Sequence, residues 1–417
     1  MANVHKVTNW VAMDTLDTLK ATGTLHPSFN TDYNKELTQE FPVDSEFQVK
    51  LPFRFLIRDG EQRVSRDVTR KFVPVTMEQP FGIDFAYTQF EAALKMDRSE
   101  RMLRKEFTAP AGEQLGSEMD SRLAKQAYER IPNIVGVLGT DPTTINTYHL
   151  MGQRLEEFGC HPGEKRLYIT PSMSSALMNT AATYFHPNTD VEDMWRNGNL
   201  GMLSGAKSFR SVRLWQHTTG VVTTAASLTM AASSVNGATT ILINCTSGDT
   251  FKKNERICIA ASFNVHPQTR RKFGSALANQ AVYIVQADVT ATGATCTLTL
   301  DRAIYGPGDP NQNVDALPLI NALVTRWPGT TIADGSAVTG TVGVCLHRNA
   351  LGLVGAKLEM PKAVETSISS RDPETGLQLS IVGQYDNEIR KIGYRMDMWA
   401  GYGGFYPAND GVCVLGL

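Results

Sequence analysis

The residues able to do chemistry in this 417-residue chain are scattered rather than gathered. Six cysteines, Cys160, Cys245, Cys258, Cys296, Cys345 and Cys413, form no CxxC pair, and no His/Cys run has metal-site spacing. The phosphate-binding glycine loop, the dinucleotide fingerprint, HExxH and the GxSxG elbow are absent. In Gly201-Met202-Leu203-Ser204-Gly205 the serine stands one place too late for a nucleophile elbow. Asp309, Asn311, Asn313 and Asp315 alternate like the start of a calcium loop, but Val314 and Ile320 occupy the positions that need glycine and glutamate. That stretch reads as a polar loop. His186, Asp190, Glu192 and Asp193 are metal-ligating types with nothing to fix their geometry, and read as solvated acidic surface. Asn244-Cys245-Thr246 is a glycosylation sequon in form only, inside an apolar strand. The sequence therefore assigns no catalytic residue, no metal ligand and no cofactor.

One concentration of charge remains. Residues 47–71 hold Lys50, Arg54, Arg58, Arg63, Arg66, Arg70 and Lys71 against Asp59, Glu61 and Asp67, a basic stretch in a chain of net charge -2. A near-neutral balance argues against a dedicated nucleic-acid binder. Scattered cysteines fit a reduced, cytosolic setting, and neither an apolar signal core in residues 1–25 nor an apolar run of membrane-spanning length is expected.

The basic stretch rides on the clearest pattern in the chain. Phe47, Val49, Leu51, Phe53, Phe55 and Ile57 recur at every second position, a strand period, and Asp59-Gly60 supplies a turn dipeptide. Val64, Phe72, Val73 and Val75 offer the return strand, so residues 45–82 read as a β-ribbon. Two strands alone are marginal in water, so the ribbon needs a body or a neighbouring chain to lie on. Before it, residues 1–44 read as an arm with a helical piece near 9–19. After it, 84–94 is helical in period, and a helix over 97–130 carries Leu115, Met119, Leu123 and Ala127 on one face. Thr108, Pro110 and Gly112 interrupt that helix and Pro132-Asn133 ends it.

The next section alternates. A helix over 143–158 stops at Gly159, 166–169 is a strand, and Thr170-Pro171 caps and opens a helix over 172–180. A strand follows at 208–215. At about Gly220 the composition turns to Thr, Ala, Val and Ser, with short strands at 227–232, 239–245, 256–261, 281–285 and 296–300 and a turn at Val235-Asn236-Gly237. Ile241, Ile257 and Ile284 are its expected core. Beyond it come a strand at 342–346, a short helix at 348–354, a hairpin of 366–371 with 378–385, and a strand at 392–400. The chain reads as mixed α and β with an all-β insertion.

The element order resembles the major capsid (coat) protein of tailed bacteriophages, within it the podovirus P-twenty-two-like lineage that carries an inserted β-barrel domain. The local likeness lies in Phe72-Val-Pro-Val-Thr-Met-Glu-Gln-Pro80, in Lys252-Lys-Asn-Glu-Arg-Ile-Cys-Ile-Ala260, in Ala281-Val-Tyr-Ile-Val285 and in Thr297-Leu-Thr-Leu300. The resemblance implies an α+β, HK97-like capsid fold: N-terminal arm 1–44, extended loop 45–82, spine helix and peripheral domain 83–135, and axial domain 136–219. A telokin-like inserted domain, 220–334, and a return to axial and peripheral strands, 335–417, complete it. It implies a structural, non-enzymatic protein that self-assembles, as hexamers and pentamers, into an icosahedral shell around double-stranded DNA. The implied partners are a scaffolding protein, a portal protein and packaged DNA touched weakly and without specificity, with no membrane. The implied location is the virion, with assembly in the host bacterial cytoplasm.

On that basis the basic ribbon is expected to meet acidic surface on a neighbouring copy, with Glu113, Glu118, Asp120, Asp190 and Asp193 as candidates. The family's long charged loop on the inserted domain has no counterpart here, since the tip, 233–237, is short and uncharged. Two other classes stand beside this reading. A phage-tail or carbohydrate-binding module explains the β region but not the ribbon or helix, and a cytosolic enzyme lacks its constellation.

Overall fold

The computed structural model describes residues 2–32, 46–52, 55, 60–61, 72–88, 108–181, 200–223, 228–274, 279–326, 336–356, 358, 366–372, 375–388 and 391–417. They divide into two compact units. One takes Met1–Lys50, Phe72–Leu123 and Leu351–Phe405; the other takes Leu51–Lys71, Ala124–Ala350 and Tyr406–Leu417.

In the first unit the alternation around Phe47 gives a strand, Glu46–Lys50, paired antiparallel with Phe72–Met77 from Glu46↔Thr76 to Lys50↔Phe72. Val49 and Val75 turn inward and are buried. This ribbon base does not stand alone. Phe72–Met77 pairs with Ala400–Gly404, which pairs with Leu351–Gly355, so the base is the edge of a four-stranded sheet. Most of the remaining ribbon, residues 53–54, 56–59 and 62–71, lies outside the described residues.

A second sheet in this unit orders Thr366–Arg371, Gln378–Asp386, Lys391–Met398 and Phe81–Thr88, all antiparallel. The expected hairpin of 366–371 with 378–385 is present, running from Thr366↔Gly383 to Arg371↔Gln378. Phe81–Thr88 corrects the helical reading of 84–94 over its described part. Phe81, Ile83 and Phe85 alternate with exposed Gly82, Asp84 and Ala86, so a period of two underlies the aromatic spacing that resembled a helix. Leu351–Gly355 likewise corrects the helix expected at 348–354. All five residues are buried, and a strand covered on both faces shows no alternation to read.

Two helices pack closely here. The N-terminal helix, Ala2–Thr22, is longer than the 9–19 piece expected. Against it lies Ala109–Arg130, which begins with Pro110 in its first turn and buries Leu115 and Met119 on the expected face. A Cβ on Gly112 would come within 2.7 Å of Thr18 Cβ, and one on Gly116 within 3.1 Å of the Leu19 carbonyl, so the two glycines form the notch that lets the backbones approach.

The second unit is built on a seven-stranded mixed sheet. Its path runs Ile134–Gly136, Gly411–Leu415, Thr339–His347, Lys165–Ile169, Ala206–Arg210 and Met202–Leu203, with Gln216–Thr218 also paired to Thr339–His347. Gly411–Leu415, fully buried beside Thr339–His347, is a strand with no counterpart among the sequence expectations, and the strand expected at 208–215 is present only to Arg210, as Ala206–Arg210, with a separate strand, Gln216–Thr218, beginning after it. Helices Ile145–Glu157 and Pro171–Ala181 cover the sheet through Tyr148, Met151, Leu155, Met173 and Leu177. Their ends follow the local chemistry. Gly159 takes φ 69° after the first helix, and the Thr170 hydroxyl accepts the Met173 N–H at 3.1 Å to cap the second.

Between Gln216–Thr218 and Thr339–His347 the chain makes an excursion. The two strands are direct neighbours, Thr339↔Thr218 to Thr341↔Gln216, and Thr219 N–H donates to Val338 O at 2.9 Å, so departure and return are side by side. Within the excursion, Ala238–Asn244 pairs with Thr295–Ile304 and Thr229–Met230, and Arg256–Phe263 pairs with Gln280–Ile284 and Val324–Arg326. One hydrophobic cluster running from Val222 to Val324 fills it. Ile241 and Ile257 belong to that cluster, and Ile284 is also fully buried.

Two substitutions weigh these terms. Ile257→Ala should destabilise by about 2–5 kcal/mol through lost transfer energy and a cavity. Thr170→Ala should cost about 1 kcal/mol as a lost helix cap. Denaturant melts of the full chain check both, and equal costs at the two sites would contradict the assignment of one to core and one to cap.

Candidate assembly site

Lys50, at the end of Glu46–Lys50, is exposed. Arg54, Arg58, Arg63, Arg66, Arg70, Lys71, Asp190 and Asp193 lie outside the described residues. On Ala109–Arg130, Glu113 is exposed. Glu118 is half-exposed and holds Arg122 Nε at 2.8 Å one turn away, while the same guanidinium lies 4.4 Å over the Phe81 ring. Asp120 is a different case. It is fully buried and accepts Thr24 N–H at 2.9 Å, Thr24 Oγ1–H at 3.0 Å and Leu25 N–H at 3.1 Å. Its carboxylate is spent on the chain's own N-terminal segment, which leaves Glu113 and the Arg122-paired Glu118 as the surface carboxylates among the candidates on this helix.

The root of the excursion carries the densest buried polar chemistry. Glu255, fully buried, accepts the Gly220 N–H, and its Oε1 lies 3.3 Å from Arg326 Nη2. That same Nη2 donates to Gly220 O at 2.7 Å. Gly220 opens the excursion and Arg326 ends its last strand, so one ion pair clamps both crossings. The next residue, Arg256, is also fully buried and donates to the carbonyls of Tyr128 and Ile131, the latter at 2.8 Å, with its guanidinium 3.8 Å over the Tyr128 ring. These carbonyls are the orphan acceptors at the end of Ala109–Arg130, where a cation also meets the negative end of the helix dipole. The Tyr128 hydroxyl closes the circuit on Asn254 O at 3.0 Å.

Electrostatics follow from this burial. Burial pushes the Glu255 carboxyl up, with Arg326 and the Gly220 N–H pulling it back. Burial, then Arg256 and Arg326, lower His217 to about 3, so its ring is neutral beside two guanidinium groups. The sequence carries a signal for this site beyond its strand pattern: Glu255-Arg256 next to an apolar run is a charged pair that the fold must compensate.

A second titratable cluster gathers at one end of the seven-stranded sheet. His161 Nδ1 lies 2.7 Å from Asp410 Oδ2, the His161 N–H donates to Asp410 Oδ1 at 2.9 Å, and the His347 ring stacks 6.1 Å from that of His161. Cys160 is adjacent, but burial pushes its thiol up to about 12, with Asp410 adding to the effect. An activated nucleophile is shifted the other way. Among the described residues no group of His, Cys, Asp and Glu is arranged to hold a metal ion. Asp309, Asn313 and Asp315 spend side-chain oxygens at 2.8 Å on the backbone N–H groups of Asn311, Tyr305 and Phe263. Among the described residues no helix is long and apolar enough to cross a membrane.

No family model and no curated protein match the chain. Solved structures do. It is similar to a structure from Mycobacterium phage Che8 at 10% identity and a TM-score of 0.47, with 94% of this chain and 90% of that chain covered. It is similar to the capsid structure of the Cyanophage P-SCSP1u at 8% identity and a TM-score of 0.41, covering 89% and 83%. The asymmetric unit of the bacteriophage PhiM1 mature capsid aligns at 10% identity and a TM-score of 0.41, covering 89% and 82%.

The Glu255–Arg326 clamp sets an expected outcome. Arg326→Met strands a buried carboxylate and should cost about 3–5 kcal/mol. The pH sign follows from the raised folded-state pKa of Glu255. The folded chain then holds the proton more tightly than the unfolded chain, so the penalty is absent below the unfolded carboxyl value and complete above the folded one. Losing Arg326 raises the folded value further. The deficit of Arg326→Met against the unsubstituted protein should therefore be larger at pH 8 than at pH 5 in urea melts, and a deficit independent of pH would rule out a charged Glu255 as its cause.

Proposed function

We propose that this chain is the major capsid protein of a tailed bacteriophage, a structural subunit that self-assembles into an icosahedral shell enclosing double-stranded DNA. The observation that carries the reading is topological. A mixed sheet is interrupted between two neighbouring strands, Gln216–Thr218 and Thr339–His347, by a β region with its own core, on a chain that also has a long helix and a ribbon base. In this reading the fold is HK97-like and residues 220–334 are the telokin-like inserted domain of the P-twenty-two-like lineage. The side-by-side crossings and the single cluster support that boundary. Residues 45–82 are the extended loop, 97–130 the spine helix, and 136–219 with 335–417 the axial and peripheral parts.

The basic ribbon is the arm that reaches a neighbouring subunit, with Glu113, Glu118 and the 190–193 patch as its acidic counterparts. Single exposed ion pairs contribute about 0–1 kcal/mol each, yet a shell repeats each of them, so small losses accumulate. Scaffolding and portal proteins are the expected partners in the host cytoplasm. Contact with packaged DNA is weak, because a chain of net charge -2 lacks dense Lys/Arg surface.

The test is assembly itself. Electron microscopy of the chain purified alone and with co-expressed phage proteins should show closed particles. Arg54→Glu with Arg58→Glu should leave a folded, soluble monomer by circular dichroism and sedimentation velocity that closes no particles, while the unsubstituted chain should assemble in a salt-dependent way. Normal shells from the double variant, with the usual salt response, would remove the ribbon from that role.

A further inference from the structure

Cys245 and Cys296 sit together at one end of the ladder formed by Ala238–Asn244 and Thr295–Ile304. The register pairs Ile243 with Cys296 and Asn244 with Thr295, and the Cys245 N–H donates to Ala294 O at 2.9 Å, so pairing continues past the strand end. Strand alternation then puts Ile243, Cys245 and Cys296 on the same, inward face. Both cysteines pack in the cluster that fills the excursion, as diagonal neighbours close enough for each thiol to shift the proton affinity of the other. Solvent reaches this end of the ladder. Cys245 is partly exposed, and Thr246–Gly248 after it and Thr292–Thr295 opposite it are exposed. Cys258, Cys345 and Cys413 are fully buried, and Cys160 has Asp410 and the His161 carbonyl as partners.

We propose that Cys245 and Cys296 are a reversible redox staple, a dithiol under reducing conditions that closes to an intramolecular disulfide by exchange with a low-molecular-weight disulfide. The Cys245 thiolate, the more accessible, attacks one sulfur of the small disulfide and expels its partner as a thiolate. Cys296, after losing its proton, attacks Cys245 Sγ and expels the second small thiolate. Two protein thiols thereby lose two electrons and two protons, and the small disulfide takes up both as two thiols. Burial pushes both protein thiols up, Cys296 to about 12, so closure is slow near neutrality and accelerates with rising pH. The bond closes a loop containing Thr250–Phe251, Arg256–Phe263, Gln280–Ile284 and Val289–Thr290, and so constrains the unfolded chain around most of the excursion's sheets. The inference is independent of the shell reading.

The full-length protein incubated with oxidised glutathione tests it. Thiols counted after unfolding should fall from six to four, the intact mass should drop by two hydrogens, and a non-reducing peptide map should join the Cys245 and Cys296 peptides. Cys296→Ser should instead retain one glutathione on Cys245, and a reductant should restore all thiols and reverse a rise in melting temperature. Six titratable thiols after oxidation, a glutathione adduct that persists on Cys245 with Cys296 present, or a bond through another cysteine would each overturn the staple. The wild-type peptide map decides the matter even if the variant fails to fold.

Discussion

A buried guanidinium beneath a helix end is the constraint on which much of the second unit depends. Arg256 has no solvent, and what replaces water are the carbonyls of Tyr128, Ile131 and Asn254 and the face of the Tyr128 ring. Those acceptors exist only if the helix stops near Arg130 and the strand Arg256–Phe263 crosses beneath it. Helix end, strand and excursion therefore meet at one buried side chain whose charge they compensate together. Glu255 beside it ties Gly220 to Arg326, so the same two residues in sequence join the excursion to its root and the root to the helix.

Such an arrangement contributes geometry more than stability. Buried ion pairs roughly break even against the desolvation they incur, so what this one supplies is the placement of Gly220 against Arg326. Around this root the apolar cores carry the favourable energy: Tyr148, Met151, Leu155, Met173 and Leu177 on the seven-stranded sheet, and the Val222 to Val324 cluster inside the excursion.

How much of this was legible in sequence depended on whether the signal was local. The Thr170 cap, the Gly159 stop, the inward face of Ala109–Arg130 and the hairpin at 366–385 were readable because turn chemistry and short-range periodicity determine them. Leu351–Gly355 and Gly411–Leu415 were not, since strands buried on both faces show neither alternation nor helical period. The strand over 84–88 does not show in the helical stretch 84–94, because its alternation starts at Phe81 and Ile83, before that stretch begins. Of the candidate site, the burial of Asp120 was invisible: its partners, Thr24 and Leu25, lie almost a hundred residues away, and no pattern in the chain announces a carboxylate that caps a distant loop.

The sheet holding the ribbon base also sets a timetable. Its four strands run in the order Glu46–Lys50, Phe72–Met77, Ala400–Gly404 and Leu351–Gly355, so Phe72–Met77 can pair early with Glu46–Lys50 but waits for its other partner, Ala400–Gly404, until more than three hundred residues later. At about 5–20 residues per second that wait is on the order of 20–70 s. The second unit is largely complete by Ala350 and lacks only its final segment, Tyr406–Leu417, including the buried strand Gly411–Leu415. In the interval the edge of Phe72–Met77 that faces away from Glu46–Lys50 carries unpaired backbone, which is the period when a chaperone, or dilution, decides between closure and aggregation.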